Sequence, residues 1–385
     1  MNSIQFLWLG MFRADKAAHN SRNIEMVKEL RSLGLDLTMI TSYKDKPRLI
    51  EGFEYLRVLQ PMGIFKLHYM VKAFKFIFQR LKNKRTVLIV GQEEAYLAIV
   101  IKKLSNIFRT DNIKIHLDIR SQPVAITGLH YYFKHIFFWQ FPIFLSNYFV
   151  DSFSFITEDI KSLSGIRAKS YCVWSSGVNV DKFRSSEIKI SKKNIELLYL
   201  GSVAKNRGLK EVLAAIATRK EDLKKINFVF RIVGDGNELE YLNHLARKLN
   251  ILDIVIFQSC VDYEKVPAFL QSASFFICPL PNHSWWNVSS PIKVFEYLAT
   301  GKPVILTKMR AHEIIINENI PGIVVINDLA PKNIANGIND VILNYEDYQK
   351  YSYERESLAK KFSWKNQAKT LNNFFNECYK DFSIT

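Results

Sequence analysis

The feature that most constrains the fold is a repeating unit: a short apolar run, a turn, a stretch with helical spacing, then another apolar run. Ile4–Leu9 reads as a strand ending at Gly10; the helical stretch Asn20–Leu33 is stopped by Gly34, and a strand follows over Asp36–Thr41. Such a βαβ unit makes its strands parallel and puts helices on the faces of the sheet. The same pattern predicts strands at Thr86–Val90, Ile113–Ile119 and Ser170–Trp174. A polar stretch rich in Ser and Lys, Arg184–Asn194, reads as a linker. After it the alternation restarts with strand Ile195–Leu200, helix Leu209–Ala217, strand Asn227–Val233 and helix Glu238–Leu249. Strands at Ile254–Phe257, Phe275–Cys278, Val304–Leu306 and Ile323–Ile326 complete the second half, and the last forty residues read as helical. A chain of 385 residues has room for two ordinary domains. The expectation is an α/β protein with two Rossmann-like, doubly wound domains, over residues 1–185 and 186–363.

Composition narrows the partners. Apolar residues make up 48% and charged residues 23%, a globular balance that excludes disorder and collagen-like or coiled-coil architectures. Basic residues number 53 against 37 acidic, a net charge of +16. The excess is uneven: residues 1–185 hold 27 basic and 15 acidic side chains, net +12, and the remaining 200 hold 26 and 22, net +4. The N-terminal half therefore faces something anionic: lipid headgroups, nucleic acid or phosphorylated substrates. Cys172, Cys260, Cys278 and Cys378 lie far apart with no C-x-x-C pair, which argues against a zinc site or a disulfide framework and fits a cytosolic protein. Residues 4–9 are too short, and lack the basic start, for a signal peptide. The longest uncharged run, Ile136–Val150, spans 15 residues and includes Gln140, Pro142, Ser146 and Asn147. A spanning helix needs about 20 apolar residues, so contact with a membrane is expected rather than crossing.

Four segments could carry chemistry. In Asn287–Val304, Ser290 suits a helix N-cap and Pro291 the first helical position, so an anion site is expected there. Lys293 in the first turn is disfavoured by the helix dipole unless an anionic ligand docks beside it, and Glu296 offers acceptor oxygens for a ribose diol. The alternative is a solvated Lys293–Glu296 pair three residues apart. Ile232–Asn237 contains a G-x-G turn at Gly234, which suits either a tight turn or a phosphate site. Leu200–Gly208 is a turn holding Lys205 and Arg207, with the same two readings. Along Ile113–Ile119 the residues alternate, and Asp118 and Arg120 fall at the carboxyl end, where doubly wound sheets bind ligands. A structural Asp–Arg pair is the alternative there.

As an ordered set these segments resemble the retaining GT-B glycosyltransferases of family four, the group 1 glycosyltransferases, which include phosphatidylinositol mannosyltransferases. Leu198–Gly208, Ile232–Glu238, Val255–Val261, Ala273–Pro279 and Ser290–Val304 resemble successive signatures of the C-terminal domain. Ser176–Phe183 is similar to the turn that ends the N-terminal domain, and Phe362–Trp364 to the start of the closing helix, expected to pack back on that domain over about 364–385. The resemblance covers roughly 170–380 well and the first 170 residues in pattern only.

The resemblance implies a GT-B fold with two domains facing a central cleft and a nucleotide-sugar donor held by the second domain. Glu296 matches the second acid of the family's Glu-x7-Glu motif, which holds the ribose. Cys260 and Val261 would take the base, and Ser290, Pro291 and Ile292 would offer backbone N–H groups to the diphosphate. Arg207 matches the pyrophosphate-binding cation, with Lys293 or Lys205 supplying another. The first acid of the motif is replaced by Val288, and the usual Arg by Ser202. By position Arg120, beside Asp118, would face the reacting sugar, so Arg120, Asp118, Arg207 and Lys293 form the expected catalytic group. The loop Gly10–His19 brings Arg13, Lys16 and His19 to the phosphate side. No Asp-x-Asp metal motif is present and no cofactor is expected; basic groups would stabilise the departing diphosphate. The implied reaction is retaining, front-face transfer to a sugar or lipid-linked oligosaccharide in cell-surface polysaccharide assembly. A binding-only homologue, a GT-B epimerase and a basic nucleic-acid-binding protein are the alternatives, though no nucleic-acid motif is found.

In Phe65–Lys82 one helical stripe, Leu67, Met70, Val71, Phe74, Ile77, Phe78 and Leu81, is the expected core face. Phe65, Tyr69, Lys72, Phe76 and Arg80 line the other side, aromatics interleaved with cations as at an anionic membrane surface; packing under a long loop is the alternative. The expected location is peripheral, on the inner face of the plasma membrane.

Overall fold

The computed structural model describes residues 4–13, 21–43, 50–58, 65–81, 84–107, 112–122, 133, 135–184 and 195–384. The chain divides into two compact units, Met1–Ser176 with Trp364–Thr385, and Gly177–Ser363. The division falls at 176/177 rather than 185/186, because Val178, Val180 and Phe183 are buried in the core of the second unit.

In the first unit, β1 (Gln5–Arg13), β2 (Leu37–Tyr43), β3 (Phe53–Arg57), β4 (Thr86–Gly91), β5 (Ile113–Ile119), β6 (Ser152–Phe155) and β7 (Tyr171–Val173) form one parallel sheet. Its order is β3-β2-β1-β4-β5-β6-β7. In the second unit β8 (Ile195–Leu200), β9 (Phe228–Val233), β10 (Val255–Gln258), β11 (Phe275–Cys278), β12 (Val304–Thr307) and β13 (Ile323–Ile326) give the order β10-β9-β8-β11-β12-β13. In each sheet the order reverses beside the first strand, between β1 and β4 and between β8 and β11. At such a switch point the flanking connections leave in opposite directions and open a crevice at the carboxyl ends of the strands.

The helices that matter here are α1 (Ser21–Ser32), α2 (Phe65–Leu81), α3 (Ala95–Ile107), α4 (Phe141–Phe149), α5 (Leu209–Thr218), α6 (Leu239–Lys248), α7 (Ile292–Ala299) and α8 (Trp364–Cys378). The terminal α8 packs on α1 and β7, within the first unit. Central strands carry apolar residues on both faces because helices cover both: the consecutive Val87, Leu88, Ile89 and Val90 of β4 are all buried.

Two strands, β3 and β6, were not marked by an apolar run. Phe53–Arg57 is broken by Glu54 and Arg57, and Ser152–Phe155 buries serines that serve a polar network described below. The seating of α2 differs from the expected one. Tyr69, Ala73, Ile77 and Leu81 face inward, while Leu67 and Val71 are exposed by 69% and 46%. Tyr69 decides the rotation, because its hydroxyl proton is shared between the Gly10 and Ile40 carbonyls at 2.9 and 3.1 Å, deep against the sheet.

Candidate functional site

The second unit brings backbone loops together at its switch point. Gly234, at φ +152°, lies so close to the loop after β8 that a Cβ would sit 1.8 Å from the Gly201 carbonyl oxygen. Gly236 meets the Val203 carbonyl in the same way, at 2.0 Å. Hydrogen bonds from Val203 N–H to Asp235 O and from Glu238 N–H to Val203 O, at 2.9 and 3.1 Å, lock the two loops. The G-x-G glycines thus permit loop-on-loop contact, which is the tight-turn role. Gly208, at φ +70°, starts α5 against the Pro279 carbonyl beyond β11.

The turn between them holds Lys205, exposed, and Arg207. Arg207 Nε donates to Ser202 Oγ at 3.1 Å, and its guanidinium lies 4.4 Å from the Trp286 ring centre. Trp286 is itself fixed by donating Nε1–H to the Asn206 carbonyl at 3.2 Å. Sequence reasoning passed over Trp286; the Trp285–Trp286 pair just ahead of the Asn287–Val304 segment was the available signal. Ser202, where the resemblance leads one to expect an Arg, instead holds Arg207 by its Oγ hydrogen bond.

Helix α7 begins one residue later than expected. Pro291, at φ −76° and ψ 97°, occupies the N-cap position, so Ser290 is not the cap. Pro291 also has no N–H to give, which leaves the first-turn donors to Ile292 and Lys293. Val294 N–H closes on the Pro291 carbonyl at 3.1 Å. One turn in, Glu296 is only 1% exposed, and its Oε2 accepts from Lys293 Nζ at 2.7 Å. Its Oε1 is buried with no hydrogen-bond partner among the described residues. An acceptor in that state is unfavourable unless a ligand satisfies it. The next residue, Tyr297, hydrogen-bonds the Leu200 backbone, its oxygen accepting from the N–H at 3.0 Å, and so ties α7 to β8.

The expected base-binding loop exposes Cys260 but has one backbone donor already engaged. Cys260 N–H is given to Asp235 Oδ2 at 3.2 Å, and Val261 packs on the core.

The first unit has a cavity of about 390 Å³ at its own switch point, lined among others by Gly10, Arg22, Asn23, Glu94, Asp118 and Arg120. Arg120 is clamped: its two Nη atoms donate to the Trp174 and Ser175 carbonyls at 2.5 and 3.2 Å, with the guanidinium stacked 3.4 Å from the centre of the Trp174 ring. Burial pulls Arg120 down to about 9, against the opposing pull of Asp118, so it stays cationic at neutral pH. Its nearest approach to Asp118, Nε to Oδ2, is 3.9 Å. Burial raises the Asp118 carboxyl, while Arg120 and the Ser154 hydroxyl oppose the rise.

Behind Asp118 runs a continuous buried chain. Ser154 Oγ donates to Asp118 Oδ1 at 2.6 Å; His116 Nε2 meets Ser154 Oγ at 2.8 Å and Nδ1 meets Ser152 Oγ at 2.7 Å; Ser152 Oγ meets Tyr379 Oη at 2.6 Å. Each hydroxyl has one proton. With Ser154's proton on Asp118, its oxygen must accept from His116 Nε2–H. Nδ1 then accepts from Ser152, and Ser152 accepts from Tyr379. Burial lowers His116 to about 3, so the ring is neutral. The chain joins α8 to the cavity and was invisible as a motif, since Tyr379 is 227 residues from Ser152.

The α2 stripe expected to face a membrane is engaged within the first unit at three of its described residues. Tyr69 is buried; Lys72 donates to the Arg57 carbonyl at 2.7 Å; Arg80 pairs with Glu54 at 2.9 Å and lies over the Phe76 ring. Lys72 and Arg80 tie α2 to β3, and Tyr69 ties it to β1 and β2. Arg13 ends β1 and Phe65 starts α2, with neither side chain described, and Lys16 and His19 lie outside the described residues. Among the described residues no three His, Cys, Asp or Glu side chains gather as a cation site, and no helix is long and apolar enough to cross a membrane.

Residues 181–357 match the model of the family described as glycosyl transferases group 1. An uncharacterized glycosyltransferase of Methanocaldococcus jannaschii is 24% identical over 205 residues, covering 52% of this chain and 50% of that protein. The chain thus spans about half the length of the curated relatives it matches. Among solved structures, sucrose-phosphate synthase from Thermosynechococcus elongatus superimposes with a TM-score of 0.74 at 13% identity, over 98% of this chain and 100% of that one. Anabaena HepE, solved with UDP and glucose, gives 0.72 at 14% identity, over 97% and 99%. A transferase family does not favour the epimerase or nucleic-acid-binding alternatives. The two parallel sheets and their switch points are those of the GT-B glycosyltransferase fold, and residues 181–357 match the group 1 glycosyltransferase family.

Proposed function

We propose that the chain is a retaining, metal-independent glycosyltransferase that moves a sugar from a nucleoside-diphosphate donor to a sugar or lipid-linked oligosaccharide. The acceptor belongs to cell-surface polysaccharide assembly at the inner face of the plasma membrane. The observation that carries the donor reading is Glu296: a buried carboxylate with one oxygen on Lys293 and the other unsatisfied, beside the switch point of the second sheet. Oε1 accepts from a ribose hydroxyl. Lys293, Arg207 and the first-turn N–H groups of α7 meet the diphosphate, and they favour the extra negative charge of the leaving group over the ground state. That the structural neighbour HepE was solved with UDP and glucose supports a nucleotide-sugar donor.

In the transfer, the bond from the anomeric carbon to the diphosphate oxygen breaks and the acceptor hydroxyl oxygen bonds to the same face. The acceptor's proton passes to the departing phosphate oxygen, so no side-chain base is required. The test is a thermal-shift screen against UDP, GDP, ADP, CMP and dTDP without added metal. A ligand at about 100 times its Kd adds roughly 2.7 kcal/mol. One nucleotide should stand out, and Glu296→Ala should cut its shift by about half or more and abolish sugar transfer. A flat screen, or near-normal turnover in Glu296→Ala, would overturn the assignment.

A further inference from the structure

In the first unit α2, α3 and α4 pack side by side as one layer, with the turn Ile136–Gln140 leading into α4. Each turns an apolar stripe outward. On α4 and its leading turn these are Phe137, Phe141, Phe144 and Tyr148, exposed by 47–70%. On α3 they are Val100 and Ile107, exposed by 49% and 70%, with Lys103 between them at helical spacing. On α2, Leu67 and Val71 run on to the exposed Lys75. Single exposed apolar residues are ordinary on soluble proteins; three adjacent stripes are not.

The charge of this layer is one-sided. None of α2, α3, α4 or the Ile136–Gln140 turn contains an Asp or Glu; Arg80 and Lys102 are paired with Glu54 and Asp151 outside these helices, while Lys75 and Lys103 stand exposed beside the apolar stripes. Lys103 Nζ lies 4.8 Å from the centre of the Phe149 ring, so a cation and an aromatic face of neighbouring helices are already combined. A protein partner would have to match three separate stripes in shape. A bilayer needs only that apolar side chains reach the acyl boundary while lysines on long stems meet anionic headgroups, and no acid in these helices repels them.

We infer that the outward face of α2, α3 and α4 seats this protein on a membrane surface rich in anionic lipid. The inference deepens the membrane-side location in the reading above and names the surface responsible: the side of α2 opposite the Tyr69 stripe, continued over α3 and α4. Each lysine near an anionic surface adds to attachment, which salt weakens by screening.

The test is co-sedimentation of the full chain with vesicles of phosphatidylcholine alone and of phosphatidylcholine with phosphatidylglycerol. Wild type is compared with the double variant Phe144→Glu/Tyr148→Glu and with Tyr353→Glu, at an exposed tyrosine of the second unit. The expected result is binding to the anionic vesicles only, weakened about tenfold or more by the double variant and not by Tyr353→Glu. Equal binding by wild type and the double variant, or none by wild type, would overturn the inference. So would a double variant that keeps vesicle binding but loses a protein partner. The nucleotide thermal shift, measured on the same variants, checks their folding. It also separates the two proposals: vesicle binding without any nucleotide shift would sink the donor reading and leave this surface standing.

Discussion

The Lys293–Glu296 pair makes a quantitative demand that separates a ligand site from a structural ion pair. Truncating Glu296 to Ala removes an ion pair whose lysine is 29% exposed, which is worth about 1 kcal/mol or less after screening. It also removes buried methylene, at about 0.8 kcal/mol per group. Against these losses, it deletes a buried acceptor with no partner, a liability of about 1–3 kcal/mol. The terms nearly cancel, so Glu296→Ala should change stability by no more than about 1 kcal/mol, or about 2–4 °C in Tm for a unit of this size. Lys293→Ala is different. It leaves a carboxylate at 1% exposure with neither oxygen paired, and removing one partner of a buried pair costs about 3–5 kcal/mol. The partial exposure of Lys293 lowers that to about 2–3 kcal/mol, still well above the cost of the Glu296 change.

The order of the two single variants is therefore inverted relative to what burial would suggest, Glu296 being the more buried of the two, and the double variant should be about as stable as Glu296→Ala alone. Thermal melts of the four proteins read this directly. With nucleotide present, Glu296→Ala should lose a charge-assisted hydrogen bond of about 1.5–3 kcal/mol, a 10- to 150-fold rise in Kd. Lys293→Ala should weaken nucleoside diphosphates more than nucleosides. A larger destabilisation from Glu296→Ala than from Lys293→Ala, with nucleotide binding intact, would refute the reasoning, because the carboxylate would then be serving the fold and not a ligand.

Three further outcomes follow from the geometry. Burial lowers His116 to about 3 and His312 to about 4, so the unfolded chain takes up protons near pH 6.5 that the folded chain refuses. Stability should hold above about pH 6.5 and fall as the pH drops toward 4, by up to about 1.4 kcal/mol per pH unit for each histidine; a Tm that stays level from pH 7 to 5 would contradict this. Nitrogen-15 NMR should find His116 as the neutral Nε2–H tautomer, and Tyr379→Phe should destabilise by about 1–2 kcal/mol without changing it; an Nδ1–H ring would reverse the deduced direction of the chain. Gly234→Ala should destabilise the second unit by more than about 2 kcal/mol, since the added methyl would fall 1.8 Å from the Gly201 carbonyl, and a melting point near wild type would show that the loops are not in contact.

What was legible in the sequence and what was not divides along chain separation and burial. Strands β5, β8, β11 and β13 were read with the limits they have: β11 and β13 are unbroken apolar runs, β8 is apolar but for Glu196, and β5 alternates apolar residues with Lys114, His116 and Asp118. Strand β6 escaped because its serines are buried for polar reasons, to partner His116, and a hydroxyl carries no apolar signal. Helix α2 offered two plausible stripes, and choosing between them required knowing that one tyrosine reaches carbonyls 59 and 29 residues away. The candidate site divides in the same way. Lys293 and Glu296 were identifiable as a pair by their spacing, but spacing is common to a solvated pair and a ligand site. The 1% exposure of Glu296 and its unsatisfied Oε1 exclude the solvated pair, and both are made by the packing of α7 into the second unit's core. Trp286 bonding Asn206 across 80 residues and so lying under Arg207, and Tyr379 closing the chain to Asp118, are products of topology alone. A switch point gathers residues from strands and turns distant in sequence, so the side chains that orient its cations and carboxylates are those that local pattern is least able to reveal.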